Sequence, residues 1–204
     1  MKKLLLFVTV VTCGFSSFYA QDIKFGVKAG VNVATLTGDV DDLTTRFSLH
    51  IGGVAEIPIT DKLSFQPELL YSSQGAEVDE GLGFGGVSFN SKYKLDYINL
   101  PLMGKYYVIE NLGVEFGPMI GFLVSAKYDL DGDSGFDGES DSEDIKDQFK
   151  SIDFGLAAGA SYKLDFGLNF GIRYNLGLAD INDIDGSDSK LHNGVLQVSV
   201  GYMF

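Results

Sequence analysis

The segment FGLNFGIRYNLGL, residues 166–178, decides the fold. Every even position is apolar, and the odd positions are Gly167, Asn169, Gly171, Arg173, Asn175 and Gly177. The segment LQVSVGYMF, residues 196–204, repeats the pattern: Leu196, Val198, Val200, Tyr202 and Phe204 alternate with Gln197, Ser199, Gly201 and Met203. A period of two puts apolar side chains on one face of a strand and polar ones on the other. The biology turns on which face is outside.

Working outward, strand patterns recur over residues 24–36, 46–57, 63–74, 93–108, 113–128, 151–164, 166–178 and 192–204, which makes eight. Segments 58–62, 109–112 and the turn near Leu164 and Asp165 are short, whereas 37–45, 75–92, 129–150 and 179–191 are long and rich in Asp, Gly and Ser. Antiparallel neighbours joined this way put every short turn and both termini at one end. The expected fold is therefore all-β: an eight-stranded antiparallel up-and-down transmembrane β-barrel with short periplasmic turns and long external loops.

Residues 1–20 read as an export signal, with Lys2 and Lys3, an apolar core from Leu4 to Thr12, and Ala20 before a cut at Gln21. That leaves residues 21–204 as the barrel domain. An acyl anchor on Cys13 needs a small residue where Thr12 stands. Cys13 is the sole cysteine, so the exported chain has no disulfide. A formal net charge of −13 argues against nucleic acid as a partner, because phosphate contacts need clustered Lys and Arg. After the signal, no apolar run reaches the ~18 residues that a membrane-spanning helix needs.

Alternation alone also fits a periplasmic lipocalin-like carrier, with the apolar face inward around an apolar ligand. Three features favour apolar outside. The polar face is rich in glycine, at Gly117, Gly121, Gly155, Gly159, Gly167, Gly171, Gly177 and Gly201, as a narrow closed barrel requires. Aromatics gather at both strand ends, such as Phe25, Phe116, Tyr162 and Phe166 at one and Phe47, Phe154 and Tyr174 at the other, like the two belts of a lipid interface. The chain also stops on Phe204 within the last strand, where a free carboxylate suits a membrane rim better than a soluble core.

On this reading Lys28, Asn32, His50, Glu56, Gln66, Glu68, Glu115, Lys127, Asp153, Lys163, Asn169, Arg173 and Gln197 point inward. Eight strands leave an interior that side chains fill. Buried charges must pair, so the expected network joins Arg173 and the lysines, Lys127 among them, to Glu56, Glu68, Glu115 and Asp153. It reads as a plug, with no pore.

Pro67 in Gln66-Pro67-Glu68-Leu69-Leu70-Tyr71, Pro101 in Tyr97-Ile98-Asn99-Leu100-Pro101-Leu102 and Pro118 in Gly117-Pro118-Met119-Ile120-Gly121 sit inside strands, which calls for bulges or kinks. These phrases, in this order, resemble the PorT-like outer-membrane β-barrel domain family of Bacteroidota. The resemblance implies an eight-stranded barrel of the OmpX or OmpA-N-terminal kind, seated in outer-membrane lipid. It also implies insertion by the barrel-assembly machinery, for which Tyr202 and Phe204 look like the C-terminal assembly signal. In strand four, alternation lapses around Met103, Gly104 and Lys105.

Few residues suggest chemistry. Asp129, Asp131 and Asp133 copy the start of a calcium loop, but Ser134 replaces the turn glycine and Ser140 the bidentate Glu, so an EF-hand is rejected. Divalent cations or surface partners at the acidic loops 75–92 and 129–150 remain open. Some small outer-membrane barrels act on lipid A, but the two histidines, His50 and His192, do not converge with a nucleophile and read as rim residues. The expected protein is a structural or surface-interaction barrel, with no catalytic residues and no cofactor.

Overall fold

The computed structural model describes residues 23–39, 43–80, 89–132, 141–184 and 186–204. The expected export signal and the loop segments 81–88 and 133–140 lie outside them. Among the described residues run nine strands: β1 Lys24–Gly38, β2 Leu43–Pro58, β3 Leu63–Glu80, β4 Phe89–Ile109, β5 Leu112–Gly132, β6 Asp141–Asp144, β7 Ile152–Lys163, β8 Leu168–Gly177 and β9 Leu191–Met203. All neighbours pair antiparallel, and β1 pairs with both β2 and β9, from Gly26 opposite Met203 to Gly38 opposite Leu191. With β4 on β5, the sheet closes into an eight-stranded barrel. The short β6 is an addition to the wall: it pairs with β5 beyond the end of β7, with Lys127 opposite Asp144.

The outward face is apolar. Val31, Ile51, Leu69, Phe122 and Ile172 are exposed, and Val198 keeps 52% of its surface open. Their inward neighbours Asn32, His50, Arg173 and Gln197 are buried. A lipocalin-like carrier has the reverse arrangement, so that alternative is overturned. A tilted strand crosses the hydrocarbon in about 9–11 residues, whereas β4 and β5 each have 21. The surplus of β3, β4 and β5 stands beyond the outer end as a polar extension. The sequence reading ended these strands early because their Asp, Ser and Gln content resembles a loop. Cross-strand charge explains the extension, since the register sets Glu77 opposite Lys92 and Lys92 opposite Asp129.

The three prolines form one patch on adjacent strands, with Pro67 opposite Leu102, Pro101 opposite Met119 and Pro118 opposite Leu156. They sit without the expected bulges. The register is the same on either side of Pro67 and of Pro101, and the irregularities fall elsewhere, between Thr45 and His50, Asp96 and Tyr97, and Tyr107 and Ile109. Alternation in β4 also holds through Met103, Gly104 and Lys105: Met103 and Lys105 are buried and Gly104 faces out.

Val198 and Ile172 face each other across β9 and β8 on the lipid side. Val198→Arg is expected to cost about 2–4 kcal/mol in urea unfolding of the bilayer-inserted barrel. A Val198→Arg barrel as stable as the wild type would show that this face does not meet lipid.

Candidate functional site

The interior is layered from the periplasmic end upward, and inward alternation along the strands delivers the side chains of each layer. At the bottom, Ser64 on β3 and Tyr107 on β4 donate hydrogen bonds to Glu56 Oε1, and Lys105 Nζ stands 3.9 Å from Glu56 Oε2. Above lies the central ion cluster. Arg173 on β8 donates Nη1 and Nη2 to the two oxygens of Glu68 at 2.8 and 2.7 Å, and Nε to Glu115 at 2.8 Å. Lys28 on β1 bonds both Glu68 oxygens at 3.0 and 3.1 Å, and Gln66 adds a donor at 2.6 Å. Two cations therefore balance two carboxylates in the buried interior, and the guanidinium fork suits the bidentate contact.

The next layer is neutral. Asn32 donates to Ser72 and to the Leu49 and Ser73 carbonyls, while its Oδ1 accepts from Gln197 Nε2 at 3.0 Å and meets His50 Nδ1 at 2.8 Å. Higher still, Asn193 Nδ2 donates to Asp153 at 2.8 Å and to the Tyr97 hydroxyl at 3.3 Å. An apolar cap closes the outer mouth. Ile145 and Phe149 from the β6–β7 segment and Ile181 from the β8–β9 loop pack among Leu36, Leu95, Tyr97, Leu123 and Ala126.

Asp180 pins this cap from outside. It accepts from the Leu191 and Asn182 amides and from Lys150 Nζ, and Lys150 returns its own amide to the Ile181 carbonyl. Those donors, the Leu191 amide foremost, hold the Asp180 carboxyl at a pKa of about 2, below its ordinary 3.8.

Several expected positions need correction. Lys127 is exposed, because Asp96 pairs with Ser125 and Tyr97 with Leu123, so Val124 is an extra residue that reverses the inward parity of β5 above it. Asp153 lies too high to reach Arg173 and bonds Asn193 instead. Glu56 belongs to Lys105 and Tyr107, both missed because β4 had no secure register. His50 is no rim residue: β2 starts at Leu43 rather than 46, which leaves the imidazole wholly buried over the glycine gap at Gly30. His192 is half-buried on the wall, its Nδ1 at 2.8 Å from the Ala179 carbonyl. Of the weak calcium candidates, Asp129 is engaged by Lys94. The Asp131 side chain and Asp133 lie outside the described residues. The cap was legible only as isolated Ile145, Phe149 and Ile181 within acidic loops.

Two cavities mark the ends. A vestibule of about 940 Å³ opens at the periplasmic side between Lys24, Glu56, Lys62, Tyr107 and Lys163. A smaller one of about 300 Å³ lies at the outer mouth, beside Leu36, Tyr93, Phe149 and Ile184.

A family model for the outer membrane protein beta-barrel domain matches residues 19–183. The chain belongs to that family. This outer-membrane barrel shares its fold with Neisserial surface protein A, at TM-score 0.52 and 16% identity, covering 90% of this chain and 100% of that one. Ail of Yersinia pestis, in complex with the heparin analogue sucrose octasulfate, gives TM-score 0.48 at 13% identity over 90% and 100% of the two chains. A major outer membrane protein of Thermus thermophilus gives 0.49 at 16%, again over 90% and 100%. No curated protein sequence matches the chain.

Arg173→Leu strands Glu68 and Glu115 in the interior and is expected to destabilise the barrel by about 3–5 kcal/mol in urea titration. A loss below about 1 kcal/mol, the level of an exposed ion pair, would contradict burial of the cluster. The depressed pKa of Asp180 stabilises the cap fully above pH 3.8, and this contribution fades as pH falls through about 2. Hydrogen exchange at the Leu191 amide should therefore stay protected at pH 5 and lose protection towards pH 2. Asp180→Asn should abolish that pH dependence.

Proposed function

We propose that this barrel is a sealed outer-membrane anchor. Its outer strand extensions and acidic loops meet ions, surface polymers or protein partners, and no catalytic step is involved. The observation that carries the reading is the cap: Ile145, Phe149 and Ile181 fill the outer mouth with apolar side chains. A solute would have to displace this layer, then the Asn32 and His50 layer, then the Arg173 ion pairs. Inside, Arg173 and Lys28 are taken up by Glu68 and Glu115, and the two histidines bond an amide and a backbone carbonyl rather than a nucleophile. Outside, Glu143, Asp144 and Asp147 stand exposed on β6 and the turn after it, a surface suited to divalent cations or basic partners.

Export directed by residues 1–20 and insertion by the barrel-assembly machinery complete the proposal. Support for the latter comes from Tyr202 and Phe204, whose exposed rings meet edge to face at 5.5 Å at the periplasmic rim. A PorT-like kinship within the family rests on the proline phrases of β3, β4 and β5.

In planar bilayers the purified barrel is expected to show no ion-conducting steps, and sustained conductance would overturn the sealed reading. The triple variant Glu143→Ser, Asp144→Ser, Asp147→Ser should keep the wild-type gel mobility of the folded form. It should also weaken calcium-dependent adhesion of the reconstituted protein to lipopolysaccharide vesicles. Unchanged adhesion would remove these acids from any surface role.

A further inference from the structure

The apolar cap that seals the barrel carries a hollow on its outer side. This is the outer-mouth cavity of about 300 Å³, with the buried Leu36 and Phe149 of the cap in its lining. Further walls come from Leu43 on β2, Val78 on β3, Tyr93 on β4 and Ile184 in the β8–β9 loop. The register sets Leu43 directly opposite Val78, and both side chains stay partly open. Tyr93 packs against the cap and is backed by Tyr128, with ring centroids 4.9 Å apart.

Lipid does not account for this surface. Val78 and Tyr93 stand in the extension of β3 and β4 beyond the membrane-crossing part, where no hydrocarbon covers them. Ile184 is 49% exposed at the same level. The surrounding segments are acidic, and Asp183 and Asp188 flank Ile184 and Ser189 in the chain. Yet neither they nor any other charged residue lines the cavity among the described ones.

The polar lining comes from Gln148 and the β8–β9 loop. That loop is wound around Asn182, whose Nδ2 donates to the Ser189 carbonyl at 2.6 Å and to Ser187 Oγ at 3.3 Å. Asn182 Oδ1 accepts from the Ile184 amide, and the Asp183 amide donates to the Gln148 carbonyl, which ties the loop to the β6–β7 segment. Asn182 is thus fully engaged in shaping the rim. The Gln148 side-chain amide and the Ser189 hydroxyl make no hydrogen bond among the described residues.

A concave, largely apolar hollow with a few placed polar groups is the form that small-ligand sites take, and about 300 Å³ is the small end of their range. The uncharged lining excludes an ion, because a charge there would lose water and gain no counter-charge. Aromatic walls favour a flat ring. We infer that this cavity binds one neutral aromatic molecule of about the size of naphthol or indole, its ring against Tyr93 and Phe149 and its polar group towards Gln148 or Ser189. The ligand rests on the cap and leaves the barrel sealed, so the site does not depend on the acidic surface.

The test uses the full barrel in lipid nanodiscs with naphthol as the probe, and empty nanodiscs as the reference for partition into lipid. Naphthol emission is unobscured because the chain has no tryptophan. Its anisotropy is expected to rise saturably with barrel-loaded discs over empty ones. Ile184→Asp, which sets a charge on the rim, and Ser189→Phe, which fills the space, should each keep the gel mobility of the folded form and weaken binding about tenfold or more. Glu143→Gln with Asp144→Asn should bind as the wild type does. Binding no greater than in empty discs would overturn the proposal, as would undiminished binding in both Ile184→Asp and Ser189→Phe. Equally tight binding of the naphthoate anion would overturn the neutral assignment, and displacement by octanol but not by indole would replace the ring with an acyl chain. Binding confined to a Leu82→Ser, Phe84→Ser variant would give the cavity to the chain's own 81–88 segment and overturn the proposal likewise.

Discussion

Hydrocarbon offers no partner to a peptide N–H, and the rest of this structure follows from closing β1 on β9. An open edge would leave a row of donors and acceptors unpaired in lipid. Closure with eight strands fixes the diameter, and the diameter fixes how much may stand inside. The alternating pattern then has a single arrangement that works. Leucine, valine, isoleucine and phenylalanine go to the lipid, while the polar residues go to an interior too narrow to be hydrated like a channel.

That interior carries a cost of its own. Arg173, Glu68, Glu115 and Lys28 are withdrawn from water in the middle of the barrel, where an unpaired charge is prohibitive. The cluster meets the cost by geometry, since Glu68 takes both terminal guanidinium nitrogens and Lys28 together. Towards the periplasm, demand relaxes: Lys163 and Lys24 border an open vestibule where water finishes the job. Towards the outside the chain takes the opposite course and closes the barrel with apolar loop residues.

The parts legible in the sequence were those governed by period two. The eight wall strands, their order, the apolar outward face of β8 and β9 and the inward Arg173, Glu68 and Glu115 all come from alternation. Reading failed where a single residue breaks the period or where tertiary contact overrides composition. Val124 is one extra residue in β5, and it carries Lys127 from the inside to the outside. The segment 141–149 reads as a solvated acidic loop, yet Asp144 and Glu143 pair with β5 and bring Ile145 and Phe149 over the mouth. The placing of Asp153 beside Asn193 rather than Arg173 depends on strand stagger, which no periodicity encodes.

Stagger is also what the central cluster specifies. Arg173 joins β8 to Glu68 on β3 and Glu115 on β5, strands that do not pair with β8. A slip of one residue in β8 would turn Arg173 to the lipid and Tyr174 to the interior, and would leave two buried acids facing one lysine. Backbone hydrogen bonds are nearly indifferent to such a slip, because every register pairs amides with carbonyls. Lipid contact penalises it from outside, and the cluster adds a second penalty from within. The ion pairs contribute less as net stability than as discrimination between registers, the use of buried charge best suited to a barrel whose wall could otherwise close in more than one way.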